Sequence, residues 1–154
     1  MRIVRARREH VAPMATLMAT SPLLRRYRVT GRGARASLAE ALRERDTVLV
    51  ALDTDTVVGL AWFIRTRALD RAAYLRLLLV SEPHQSRGVG AGLLARGERE
   101  ARASGCRHVV MLVTKTNTRA RSFYERHGYA HLGDLAGFVR AGIAESLYLK
   151  SWRA

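Results

Sequence analysis

Apolar and polar residues alternate from Arg2 to Ala6 ("RIVRA"), the period of a half-buried strand. In "HVAPMATLMAT" the period changes. Val11, Met14, Leu17 and Met18 recur at helical spacing, and Pro13 is compatible with a first turn. "SPLLRRYRVTGRG" mixes a proline and glycines with charges and predicts a loop or a broken helix. "SLAEALRER" is helical again, with Ser37 and Glu40 spaced as a capping box. Thr47 to Leu52 and "VVGLAWFIRT" are strands separated by "DTDT", which predicts a hairpin. "YLRLLLV", Tyr74 to Val80, is nearly all apolar, the mark of a central strand covered on both faces.

A glycine-rich stretch follows, and then a helix from about Val89 to Ala103. There Val89, Leu93, Gly97 and Ala101 keep a four-residue spacing. "SGC" ends it, and His108 to Thr114 is another buried strand. "NTRARSFYERHG" predicts a short helix with Asn117 as N-cap and Gly128 as a left-handed C-terminal cap. "YAHLGDLAGF" and "IAESLYLK" close the chain as strands. The order predicts an α/β fold in one domain over residues 1–154. It has a mixed central sheet of about six to seven strands, flanked by helices on both faces.

Composition narrows the class. The chain has 154 residues and is 48% apolar, enough for one domain with a core. No apolar run approaches the roughly 18–20 residues that span a bilayer. "MRIVRARREHV" has no apolar export core, so a cytoplasmic protein without membrane contact is expected. The single cysteine, Cys106, cannot form an internal disulfide or a cysteine-based zinc site, and no metal is expected. The formal charge is +14, nearly all of it from arginine, since Lys115 and Lys150 are the only lysines. Such charge suits a polyanionic partner, or it reflects an arginine-biased, solvated surface. The arginines are scattered, and no aromatic residues interleave with them as a base-stacking platform requires, so nucleic acid is not the partner expected.

The candidate chemistry sits in "SEPHQSRGVGAGLL", Ser81 to Leu94, between a strand and a helix. A helix N-terminus offers unpaired N–H groups and positive dipole to an anion, and glycines admit a phosphate to the backbone. A Walker A loop needs Gly-Lys-Ser/Thr, which is absent. The dinucleotide pattern G-x-G-x-x-G would need glycine where Leu93 stands, near the first strand of the sheet. The pattern Q/R-x-x-G-x-G/A is met at every fixed position by Gln85, Gly88 and Gly90. Gly92 reads as a small residue for helix packing.

With this loop the chain resembles the GNAT superfamily of acyl-CoA-dependent N-acetyltransferases. "NTRARSFYERHGY" resembles that family's second signature, through Asn117, Ala120, Phe123, Tyr124, Gly128 and Tyr129. The resemblance implies acetyl transfer from acetyl-CoA to a primary amine by direct attack in a ternary complex. It implies that backbone groups of Gln85, Ser86, Arg87, Gly88, Val89 and Gly90 hold the pyrophosphate. Backbone of Leu78 and Val80 would grip the pantetheine arm, and Leu79 or Val80 would donate to the thioester oxygen. Tyr124 would be the general acid, and Asn117 would contact cofactor or acceptor or serve only as an N-cap. No base is assigned; Glu40, Glu44, Glu82, His84 and Glu145 are options, each expected at the solvated surface. Arg25, Arg26 and Arg28 around Tyr27 would suit an acidic acceptor, and a homodimer is possible by analogy. The alternatives are an acyl-CoA-sensing module without turnover and a basic nucleic-acid-binding domain.

Overall fold

In the computed structural model, which describes residues 1–153, the alternating and apolar runs form seven strands. They are β1 (Arg2–Arg5), β2 (Thr47–Asp53), β3 (Thr56–Arg65), β4 (Ala73–Val80), β5 (His108–Thr114), β6 (Ala130–Ala136) and β7 (Ala144–Ser151). They lie in one mixed sheet in the order β1-β2-β3-β4-β5-β7-β6. β4 and β5 are parallel, and β1/β2, β2/β3, β5/β7 and β6/β7 are antiparallel. The helices are α1 (Val11–Thr20), α2 (Pro22–Arg26), α3 (Gly31–Arg43), the single turn α4 (Ala68–Arg71), α5 (Val89–Ala103) and α6 (Thr118–Arg126). The α/β class and the mixed sheet are those the sequence predicts. Among the described residues no helix is long and apolar enough to cross a membrane.

The contacts group into two units, Met1–Ile64 with Leu77–Glu100, and Arg65–Arg76 with the residues from Ala101 onward. In the first unit the two-residue period of β2 and β3 sorts their side chains onto two faces. Val48, Val50, Leu60 and Trp62 join Met14, Met18, Leu38 and Ala41 of α1 and α3 in one buried cluster. Their neighbours Leu49, Ala51, Ala61 and Phe63 point to the other face and are equally buried. There Gly59 lies under α5, because a Cβ on it would meet Leu93 Cδ1 at 3.1 Å and Val89 Cγ1 at 3.4 Å. Both faces of this part of the sheet therefore carry helices.

The stretch read as loop or broken helix is a broken helix: α2, with Ser21 as its N-cap and Pro22 in its first turn, ends at Arg26, and the chain turns before α3. One expectation changes. α3 begins at Gly31, well before Ser37, so Ser37 and Glu40 lie inside the helix and form no capping box. Thr30 caps it instead, its Oγ1 accepting from Gly33 N at 3.0 Å. Gly31 and Gly33 look like breakers in the sequence, but in the first turn their N–H groups have no intrahelical acceptor to lose. Thr30→Ala is expected to cost about 1 kcal/mol of stability, read as a lower midpoint in urea; an unchanged midpoint would refute the cap.

In the second unit β4 pairs with β5 over Ala73–Leu75 against Val109–Met111, and β7 pairs with β5 on one side and β6 on the other. α4 was not visible in the sequence. Its Leu69, Asp70 and Arg71 have φ of 51°, 55° and 61°, a left-handed turn of ordinary residues. Such backbone is unfavourable and needs external support. Asp70 supplies it through an ion pair to Arg107, with His108 Nε2 3.7 Å from its carboxylate.

Candidate functional site

The first unit holds the glycine-rich turn. Leu79 O lies 3.2 Å from where a Gly59 Cβ would stand, and Ser81 N donates to Val58 O at 2.9 Å. Leu79 and Ser81 therefore turn their backbone groups toward β3. Successive residues of a strand alternate, so Leu78 and Val80 turn theirs away from β3. This corrects one expectation. The Leu79 N–H is aimed at β3, which leaves Val80 of the two suggested donors to a thioester oxygen. The Val80 carbonyl already accepts from Gln85 Nε2 at 3.0 Å. Leu77–Val80 are only half-buried, so this half of β4 is not covered on both faces as its apolar run suggested.

Beyond β4, Glu82–His84 forms a 3₁₀ turn with Pro83 in it. Ser86 then takes φ 61° and Gly88 φ 81°. At Gly88 no atom lies within 4 Å of an added Cβ, so its glycine is needed for backbone shape rather than for space. The i→i−4 ladder of α5 is joined at Gly92, whose N–H donates to Gly88 O at 3.0 Å. The N–H groups of Val89, Gly90 and Ala91 precede it and open at the positive end of a 15-residue helix. Ser86, Arg87 and Gly88 are exposed, whereas the Val89 side chain is buried, so Val89 offers only backbone. At Gly92 a Cβ would come within 3.0 Å of Ile3 Cδ1, which fits its reading as a packing residue.

The second unit holds the other motif. Asn117 caps α6, its Oδ1 accepting from Ala120 N at 3.1 Å. Gly128, at φ 89°, ends the helix, with Tyr129 N donating to Tyr124 O at 3.1 Å. Tyr124 is 8% exposed, and its ring meets Phe123 and Tyr129 edge-on at centroid distances of 5.1 and 5.7 Å. Burial pushes its phenol well above the ordinary tyrosine value. Among the described residues nothing hydrogen-bonds its hydroxyl. Tyr148, also buried, is the opposite case. Its hydroxyl accepts from Arg121 Nε at 2.9 Å and donates to Glu125 Oε1 at 2.8 Å.

A family model described as the acetyltransferase (GNAT) family matches residues 17–129, which takes in both motifs. The chain belongs to the GNAT family of acetyltransferases. An acetyltransferase of Agrobacterium fabrum is 37% identical over 62 residues, a stretch covering 40% of this chain and 44% of that protein. The match thus spans less than half the length of that curated relative. A ribosomal-protein-alanine N-acetyltransferase from Brucella melitensis has a similar fold, with a TM-score of 0.83 at 17% identity over 99% of this chain and 100% of that one. So does an aminoglycoside 6'-N-acetyltransferase solved with coenzyme A, with a TM-score of 0.82 at 17% identity over 98% and 97% of the two chains.

The structure redistributes the residues named as options for a base. Glu40, Glu44 and Glu82 are exposed. Glu145, expected at the surface, is 2% exposed; it lies in β7 opposite Thr114 of β5 and acts electrostatically on Tyr74, as does Arg76. His84 is bound to Ser81 and Asp53, an arrangement the sequence did not reveal. Asp134, also missed, accepts from Ser146 and His131 and pairs with Lys115, which lowers its carboxyl to about 2. His131 lies three residues away in the same strand, but Lys115 and Ser146 come from other stretches, so no local pattern announces the whole set.

Proposed function

We propose that the chain transfers an acetyl group from acetyl-CoA to a primary amine, by direct attack within a ternary complex. The observation that carries this reading is the turn from Gln85 to Gly90. Its left-handed Ser86 and Gly88 lead into the open N–H groups of α5, in a chain of the GNAT family. In this reading the N–H groups from Ser86 to Gly90 bind the pyrophosphate, and the Arg87 guanidinium adds charge beside them. The Leu78 and Val80 backbone, turned away from β3, pairs with the pantetheine amides, and the Val80 N–H serves the thioester oxygen. Acetyl-CoA supplies the thioester to be cleaved. Tyr124 keeps its proton at working pH and gives it to the departing thiolate. The Asn117 side-chain nitrogen is left to contact cofactor or acceptor, since its oxygen caps α6.

Folds like this one serve proteins named for ribosomal-protein alanine and for aminoglycosides, so the fold does not choose the acceptor. Release of CoA thiol from acetyl-CoA, screened over amines, amino acids and peptides, tests the reaction. No release above the uncatalysed rate with any acceptor would refute it. Cofactor binding is testable alone. CoA at about 100 times its Kd adds about 2.7 kcal/mol to apparent stability, a rise of about 5–10 °C in Tm for a chain of this size. No rise at any concentration would exclude CoA as a ligand.

A further inference from the structure

The glycine-rich turn has an anchor that neither motif contains. His84 stands one residue before Gln85, and its ring is hydrogen-bonded at both nitrogens. Ser81 Oγ lies 2.8 Å from Nδ1, and Asp53 Oδ2 lies 3.3 Å from Nε2. An ionised carboxylate only accepts, so Nε2 carries a proton, and in the neutral ring Nδ1 then accepts from the Ser81 hydroxyl. The ring thus joins the end of β2 to the end of β4. Ser81 is itself tied to β3 through Val58 O, and His84 N donates back to Ser81 O at 2.9 Å. Gln85 then reaches back to Val80 O at 3.0 Å.

The turn needs such support. Ser86 and Gly88 both hold left-handed backbone, which for serine is unfavourable and persists only where the surroundings impose it. Around Gly88 there is open space, so packing does not impose it there. The restraint comes from the upstream end, where the His84 side chain is 21% exposed and its partner Asp53 is 53% exposed.

We infer that Ser81, His84 and Asp53 form a clamp that holds the Gln85–Gly90 turn in its anion-binding shape, which makes His84 a positioning residue for the pyrophosphate of acetyl-CoA. The inference rests on the reading of that turn as the coenzyme A loop. His84 touches no reacting atom. It fixes the N–H groups that do the binding, so its loss weakens the pyrophosphate contact and leaves the pantetheine contact alone.

Two probes separate these effects: CoA, and S-acetylpantetheine, which lacks the pyrophosphate. Their Kd values are measured for the wild-type protein and for His84→Ala, His84→Asn and Asp53→Asn. His84→Ala is expected to raise the CoA Kd about tenfold, the scale of one well-placed charged hydrogen bond. His84→Asn is expected to recover part of this, because its amide can still accept from Ser81. Asp53→Asn is expected to raise the CoA Kd about threefold, and S-acetylpantetheine is expected to bind all four proteins alike. An unchanged CoA Kd in His84→Ala, or equal losses for both probes, overturns the clamp. If His84→Ala does not fold, Asp53→Asn decides, since a half-exposed turn carboxylate is removable, and an unchanged CoA Kd there overturns the clamp. A wild-type protein that does not bind CoA overturns the coenzyme A reading itself, a result distinct from the others.

Discussion

Tyr124→Phe is expected to lower acetyl transfer at least tenfold while the fold survives. The exchange keeps the ring, and with it the edge-on contacts to Phe123 and Tyr129 that bury it. It removes only the hydroxyl, which bonds to nothing else among the described residues. Little stability therefore depends on that oxygen, and Tm is expected to stay within a few degrees. On the proposed mechanism the chemical step loses its proton donor, and positioned acids and bases typically contribute about 10²–10⁴-fold. Burial raises the phenol above its ordinary 10.0, so the acid stays protonated throughout the range in which an amine can be assayed. The sign follows: loss of turnover from ionised Tyr124 begins above pH 10, and an alkaline limb below that belongs to another group. Thiol release measured for both proteins checks the claim, and equal turnover would remove Tyr124 from the mechanism.

The strands were legible because burial leaves a direct trace, as in "TVLVAL", which is buried on both faces. Both motifs were legible for a related reason. Gly88 and Gly128 mark left-handed backbone, and Asn117 marks a helix start, each a local demand on a local residue. What failed depended on partners distant in sequence. Thr30 caps a helix that opens with two glycines, and nothing near Ser37 says that its helix has already begun. Glu145 reads as a surface carboxylate because its own strand does not reveal that β5 and β6 lie on either side of it. His84 reads as a solvated imidazole because Asp53, its second partner, comes from the turn end of the β2–β3 hairpin, 31 residues earlier. The half-exposed end of β4 escaped notice since an apolar run gives composition and not coverage.

Gly97→Ala is expected to destabilise the protein by up to about 2 kcal/mol, against the usual preference for alanine in a helix. That preference favours alanine by about 1 kcal/mol in an exposed helix interior. Gly97, however, sits on the face of α5 pressed to the sheet. A Cβ there would stand 2.0 Å from Cε2 of Phe63, 2.4 Å from Cζ and 2.8 Å from Cδ2. Carbon atoms pack at about 3.5–4.0 Å, so the ring or the helix must move by more than 1 Å. Phe63 is 1% exposed and cannot swing into solvent. Overpacking of this kind costs about 1–3 kcal/mol, which exceeds the helix gain at the upper end. Tm should fall by roughly 5 °C for a chain of this length. Phe63→Leu vacates the contact, so the double variant should lose less than the two singles together, a coupling that a double-mutant cycle reads. A Gly97→Ala protein as stable as the wild type would show that the contact is not tight. The same displacement bears on binding. α5 is one rigid element, and pushing it off the sheet at Gly97 shifts the N–H groups of Val89, Gly90 and Ala91 at its start. On the proposed reading a glycine two turns from the anion site would thus govern the aim of that site, and Gly97→Ala should raise the CoA Kd as well as lower Tm.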